Sequence, residues 1–293
     1  MPIRPYRYAA ALGAWLLVVI VLGAWFAHFF YNGGKALADV TRTKSIITPL
    51  NWLAGLCRQG EFADFHVFSM VLVVVLAVFP LMTWLLRKPD GPLLSELVAM
   101  RKDRPGLRQA FQAVPLCLAF SLSISAVSHG WPTIVVPEPW LAWVLGACLA
   151  GLLMELIFRG VFLRLLSISL RMRNAIILST VLYLLFFNAL LPHGIHTWEP
   201  VLSSGRFPFF HSLAYGLFDP VHLLSQTLPL VLVGISLGWA RARAESCWLA
   251  VGVQIGILLA WRITPQSLPP LLAAVLTVYV LCGRPSLRTL EKS

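Results

Sequence analysis

The sequence predicts an all-α fold, a polytopic integral membrane bundle of about eight transmembrane helices. Three observations carry that expectation. Of the 293 residues, 58% are hydrophobic and only 12% charged, against about 25% charged in an ordinary soluble domain, and the mean hydropathy is +0.80. The apolar residues gather in runs close to the ~20 residues that a bilayer core requires. The charged residues occupy short stretches between those runs. No polar stretch is long enough to fold separately, so residues 1–293 read as a single transmembrane domain.

The expected spans are residues 9–31, 65–86, 110–128, 139–158 (helical to about 166), 174–191, 223–240, 247–261 and 268–282. Arg4 and Arg7 precede the first, and Ala36–Leu37–Ala38 resembles a signal-peptide cleavage site. Its apolar core is longer than the 7–15 residues of a typical signal peptide, which favours a retained span. The last two spans are short, and Pro269 and Pro270 open the eighth. Leu93, Leu94, Leu97 and Met100 fall near helical spacing, which suggests an interfacial helix on the membrane surface. The stretch 192–222 contains Phe207–Pro208–Phe209–Phe210 and is expected to dip into the membrane or pack over the bundle as a lid.

Charge sets the expected orientation. Placing the N-terminus inside puts 17 of the 23 Lys+Arg on the inner segments, the asymmetry seen when both termini are cytoplasmic. The formal net charge of +11 therefore reads as attraction to anionic membrane lipid. The basic residues form no single stripe, so nucleic acid is not an expected partner. The five cysteines form no CxxC pair and imply neither a disulfide framework nor a zinc site. His193 and His196, with Glu199 nearby, have the spacing of a metal pair, but they sit in a glycine-containing loop and read as polar loop residues. No metal and no cofactor is expected.

One segment stands out for chemistry: Met154–Glu155–Leu156–Ile157–Phe158–Arg159–Gly160. A carboxylate inside a span costs several kcal/mol unless it is paired or faces water, so Glu155 is a functional candidate. Arg159 follows one turn later, with the acid N-terminal to the base, the favourable order for an ion pair. The bland alternative is a structural pair that pins this helix to its neighbours. A transporter is disfavoured, because the spans hold few other ionisable groups and no paired broken helices.

This segment resembles the EExxxR motif of the CPBP family, the CAAX-protease and bacteriocin-processing or abortive-infection membrane proteins. The resemblance runs over about residues 139–262, the expected fourth to seventh spans. It extends to Leu178–Ser179–Thr180, to Leu232 through Trp239 and to Trp248–Leu249–Ala250–Val251–Gly252. It implies an intramembrane endopeptidase core in a bacterial cytoplasmic membrane, in which a glutamate activates water with help from histidines on two other helices. Carried onto this chain, the catalytic positions are Glu155, Arg159 and Gln254, but the pattern is degenerate. The first of the two glutamates is Met154, and the two histidine positions are Phe187 and Gln254. None of these three side chains is a general base near neutral pH. Asn188 is adjacent to Phe187 but points about 100° away on a helix.

The expectation is therefore a pseudo-protease that binds a membrane protein or peptide partner without cutting it. The alternative is an active CAAX-type endopeptidase with Glu155 as general base and Gln254 as a hydrogen-bond donor to the substrate carbonyl.

Overall fold

Inside a bilayer no water is available to satisfy backbone N–H and C=O groups, and a helix satisfies them within one segment. The computed structural model follows that rule. It describes residues 7–43, 48–59, 65, 69, 72–74, 76–77, 100, 102–129, 140–190, 220–244, 246–264 and 268–282, which are almost entirely helical and contain no strand. The expected interfacial helix around residues 93–101 and the expected lid at 192–222 lie outside the described residues, apart from Met100 and Pro220–His222. So does most of the expected span 65–86.

In chain order the elements are α1 (Arg7–Thr43), α2 (Thr48–Gln59), α3 (Arg104–His129) and α4 (Trp140–Glu155). A π-helical stretch (Leu156–Phe162) carries α4 into α5 (Leu163–Ser169), followed by α6 (Met172–Leu190). A single turn (Pro220–His222) and a second π-helical stretch (Leu223–Thr227) lead into α7 (Leu228–Ala244). The last two are α8 (Trp248–Ile263) and α9 (Leu268–Cys282). Among the described residues four helical segments are long and apolar enough to cross a membrane: Leu12–Thr41, Arg104–Ser128, Val144–Ile168 and Leu223–Arg243. Met172–Phe187, Trp248–Trp261 and Leu268–Cys282 are shorter apolar helices. Pro269 and Pro270 open α9 without breaking it, because the first turn of a helix has no partner for their missing N–H groups.

The chain divides into two compact units. One comprises Ala11–Leu81 and Leu185–Asp219. Here α1 runs on past the expected end at residue 31, for 37 residues in all, about 55 Å at 1.5 Å per residue. The helix runs through Gly33–Gly34, and the missing side chain at Gly34 lets neighbours pack closely: a Cβ there would meet Phe65 Cε1 at 2.9 Å and Cys57 Sγ at 3.1 Å. The Arg58 side chain of α2 donates to the Ala38 carbonyl at 3.4 Å, and Ser69 Oγ donates to the Gly23 carbonyl at 2.6 Å.

The other unit comprises Met1–Ala10, Met82–Leu184 and Pro220–Ser293. Small residues set how closely its helices approach. A Cβ on Gly252 would lie 2.5 Å from the Ala110 carbonyl oxygen, and one on Gly256 would lie 2.7 Å from Cys117 Cβ. These two contacts make α8 and α3 parallel neighbours. Gly151 of α4 meets Ile255 of α8 in the same way, with Cγ1 at 2.7 Å. On the other side, Gly234 and Gly238 of α7 receive Thr180 and Ile176 of antiparallel α6. Near one end of α8, Met100, Leu156, Cys247 and Val251 form an apolar core. Trp248 Nε1 donates to the Met100 carbonyl there at 2.7 Å.

Candidate functional site

The Glu155–Arg159 turn sits where α4 gives way to the π-helical stretch. A π turn carries one residue more than an α turn, so the helix beyond it is rotated by roughly 100°. The Leu163 N–H donates to the Phe158 carbonyl, a step of five residues, and that carbonyl also accepts Ser179 Oγ from α6 at 2.9 Å. The wide turn is thus bonded to a neighbouring helix. Every residue from Leu156 to Phe162 is buried.

Glu155 is 0% exposed and Arg159 1%. Arg159 Nε lies 3.7 Å from Glu155 Oε2, a charge contact too long for a hydrogen bond. Neither carboxylate oxygen of Glu155 has a hydrogen-bond partner among the described residues. The arginine is held more firmly from elsewhere. Its Nη2 donates to the Gly234 carbonyl of α7 at 3.2 Å, and its guanidinium stacks 4.4 Å from the centroid of the Tyr183 ring on α6. A buried guanidinium over an aromatic face gains electrostatically, the more so for being desolvated. Phe158 meets the same ring edge to face at 5.5 Å.

Tyr183 links this pair to α8. Its hydroxyl donates to Gln254 Oε1 at 3.1 Å, and Gln254 Nε2 is directed at Met154 Sδ, 3.9 Å away. Tyr183 and Gln254 are both 0% exposed. Glu155, Arg159, Met154 and Gln254 are thus brought together on α4, its π-helical continuation and α8. Phe187 is buried on α6, one turn after Tyr183. The helices that build the site contain no histidine: none occurs in residues 140–190 or 223–264. His193, His196 and His211 lie outside the described residues.

Two participants were not assigned roles from the sequence. Tyr183 occupies an apolar span, where a phenolic hydroxyl needs a partner, and that was the available signal; its partner is 71 residues away. Gly234 contributes a backbone carbonyl, for which a side-chain pattern gives no sign.

In chemical terms the site holds one carboxylate, one guanidinium, one phenol and one carboxamide in a closed apolar setting. Tyr183 donates to Gln254 and Arg159 Nη2 to the Gly234 carbonyl, while Arg159 Nε and Nη1 are buried without a hydrogen-bond partner among the described residues. Comparison with curated proteins and with solved structures gave no match. Residues 136–259 match the family of type II CAAX prenyl endopeptidases, Rce1-like. That stretch contains Glu155, Arg159, Tyr183, Gly234 and Gln254, and the chain accordingly carries an Rce1-like domain of the CPBP family in its C-terminal half.

Proposed function

We infer that this membrane protein of the Rce1-like family is a pseudo-protease, which binds a membrane protein or peptide without cleaving it. The observation that carries the reading is the Glu155 carboxylate, 0% exposed and facing Arg159, on helices that supply no imidazole. Hydrolysis of a peptide bond needs a proton acceptor for water, a donor for the leaving amine and stabilisation of the oxyanion. Here the carboxamide of Gln254 is occupied at its oxygen by Tyr183 and directed at Met154 with its nitrogen. The Arg159–Gly234 and Tyr183–Gln254 contacts tie α4, α6, α7 and α8 together, the work of a brace. The same reading puts the chain in a bacterial cytoplasmic membrane with both termini on the cytoplasmic side, an orientation that leaves most of the basic residues on the inner segments.

The test uses the purified full chain in lipid, offered a prenylated C-terminal peptide and an unprenylated one. No cleavage above background is expected. Cleavage that disappears in Glu155→Ala would sink the proposal.

One observation favours the alternative, an active endopeptidase with Glu155 as base. Among the described residues both of its carboxylate oxygens lack a hydrogen bond, so an opening of the site would leave them uncommitted. That alternative requires Glu155→Gln to stop processing of a target in cells while the protein still accumulates; unchanged processing removes it.

A further inference from the structure

The first turns of α3 concentrate positive charge where a helix tolerates it least. A helix N-terminus is the positive end of the macrodipole and favours acids, yet α3 opens on Arg104, has Arg108 one turn later and carries no acid in its first turn. Like charges at that spacing repel. The backbone end itself is satisfied, since Asp103 Oδ1 accepts the Gly106 N–H at 2.9 Å. Both guanidinium groups are exposed, and no hydrogen bond or ion pair from the described residues reaches either one.

Both arginines line one open, shallow surface cleft of about 540 Å³ on the face of α3, together with Pro105, Gln109 and Gln112. Arg104, Arg108 and Gln112 are spaced four residues apart and form one stripe along the helix. Two planar guanidinium forks and two carboxamides present N–H donors to one space, the donor set that suits phosphate oxygens. The same turns expose apolar surface, with Leu107 37% and Phe111 72% accessible. Arg104 also begins a segment long and apolar enough to cross a membrane; a span that starts there sets the cleft at the level where polar headgroups give way to hydrocarbon. Phosphate recognition beside an exposed apolar turn fits an amphiphile better than a free anion.

We propose that the cleft formed by Arg104, Arg108, Gln109 and Gln112 binds the phosphate headgroup of an anionic phospholipid, whose acyl chain lies along Leu107 and Phe111. The bound phosphate cancels the repulsion between the arginines and the unfavourable charge at the helix start. The site shares no residue with the Glu155–Arg159 site and does not depend on whether the protein cleaves anything.

The full chain is melted in detergent while short-chain phosphatidylglycerol, short-chain phosphatidylcholine or inorganic phosphate is added at matched concentration. Phosphatidylglycerol is expected to raise the melting temperature saturably and the other two to leave it unchanged. Arg104→Gln with Arg108→Gln should weaken the response roughly thirtyfold without lowering the lipid-free melting temperature, because the change removes a like-charge pair. Arg171→Gln with Arg173→Gln, which deletes the same charge just before and at the start of α6, should respond as wild type does. An equal response in the Arg104/Arg108 variant overturns the proposal, as does an equal effect of phosphatidylcholine. A matching shift with inorganic phosphate also overturns it, marking an anion site rather than a lipid site.

Discussion

Glu155–Arg159 and Arg104–Arg108 are both pairs of charged side chains four residues apart in the same compact unit, and they obey different physics. The first pair has opposite signs and is 0% and 1% exposed. The second has like signs, is exposed, and sits at a helix start. In the interior, stripping water from an ion dominates, so what matters is that neither charge is left alone. At the surface, solvent and headgroups screen most of the interaction. Spacing identifies a pair; burial decides how much it is worth.

The comparison breaks most visibly at Arg159. Arg159→Ala leaves a buried carboxylate with no compensating charge and should destabilise the protein by about 3–5 kcal/mol, read from denaturant or thermal unfolding in detergent. A loss below about 1 kcal/mol would put Glu155 in contact with water. Next comes the backbone packing around the site. Gly252→Ala places a methyl 2.5 Å from the Ala110 carbonyl oxygen and 2.6 Å from its Cα, atoms that move only if α3 moves, and should cost about 1–3 kcal/mol. The same change at Gly55 of α2, where nothing lies within 4 Å, should be neutral or stabilising by up to about 1 kcal/mol.

Tyr183→Phe keeps the ring under Arg159 but strands Gln254 Oε1, for a loss of about 1–2 kcal/mol. The additional change Gln254→Leu should recover part of that loss. Smallest is the exposed pair: in the absence of lipid, Arg104→Gln with Arg108→Gln should change stability by less than about 0.5 kcal/mol, in the stabilising direction.

Much of this was legible in the sequence, unevenly and for physical reasons. The helical class follows from hydropathy, because a bilayer admits few alternatives. Glu155 and Arg159 were visible because charge within an apolar run is rare and local spacing fixes their face. The reach of α1 to Thr43 was not visible, since the residues that pack against its second half, Phe65 and Cys57 at Gly34 among them, are distant in sequence. The π-helical stretches were not visible either. Leu156–Phe162 has an ordinary apolar composition, and its wide turn answers to Ser179 on another helix. The resemblance located Gln254 as a site position; its bond to Tyr183 required two helices to be set side by side.

The central claim is that the acid in the fourth helix and the base one turn beyond it act as a structural couple. A double-mutant cycle in lipid, with Glu155→Leu, Arg159→Met and both together, measures it most directly. The account predicts that each single change is strongly destabilising while the double variant, with no buried charge left to satisfy, recovers most of the lost stability. Losses that simply add in the double variant would contradict it, showing two residues that stabilise the fold independently of one another.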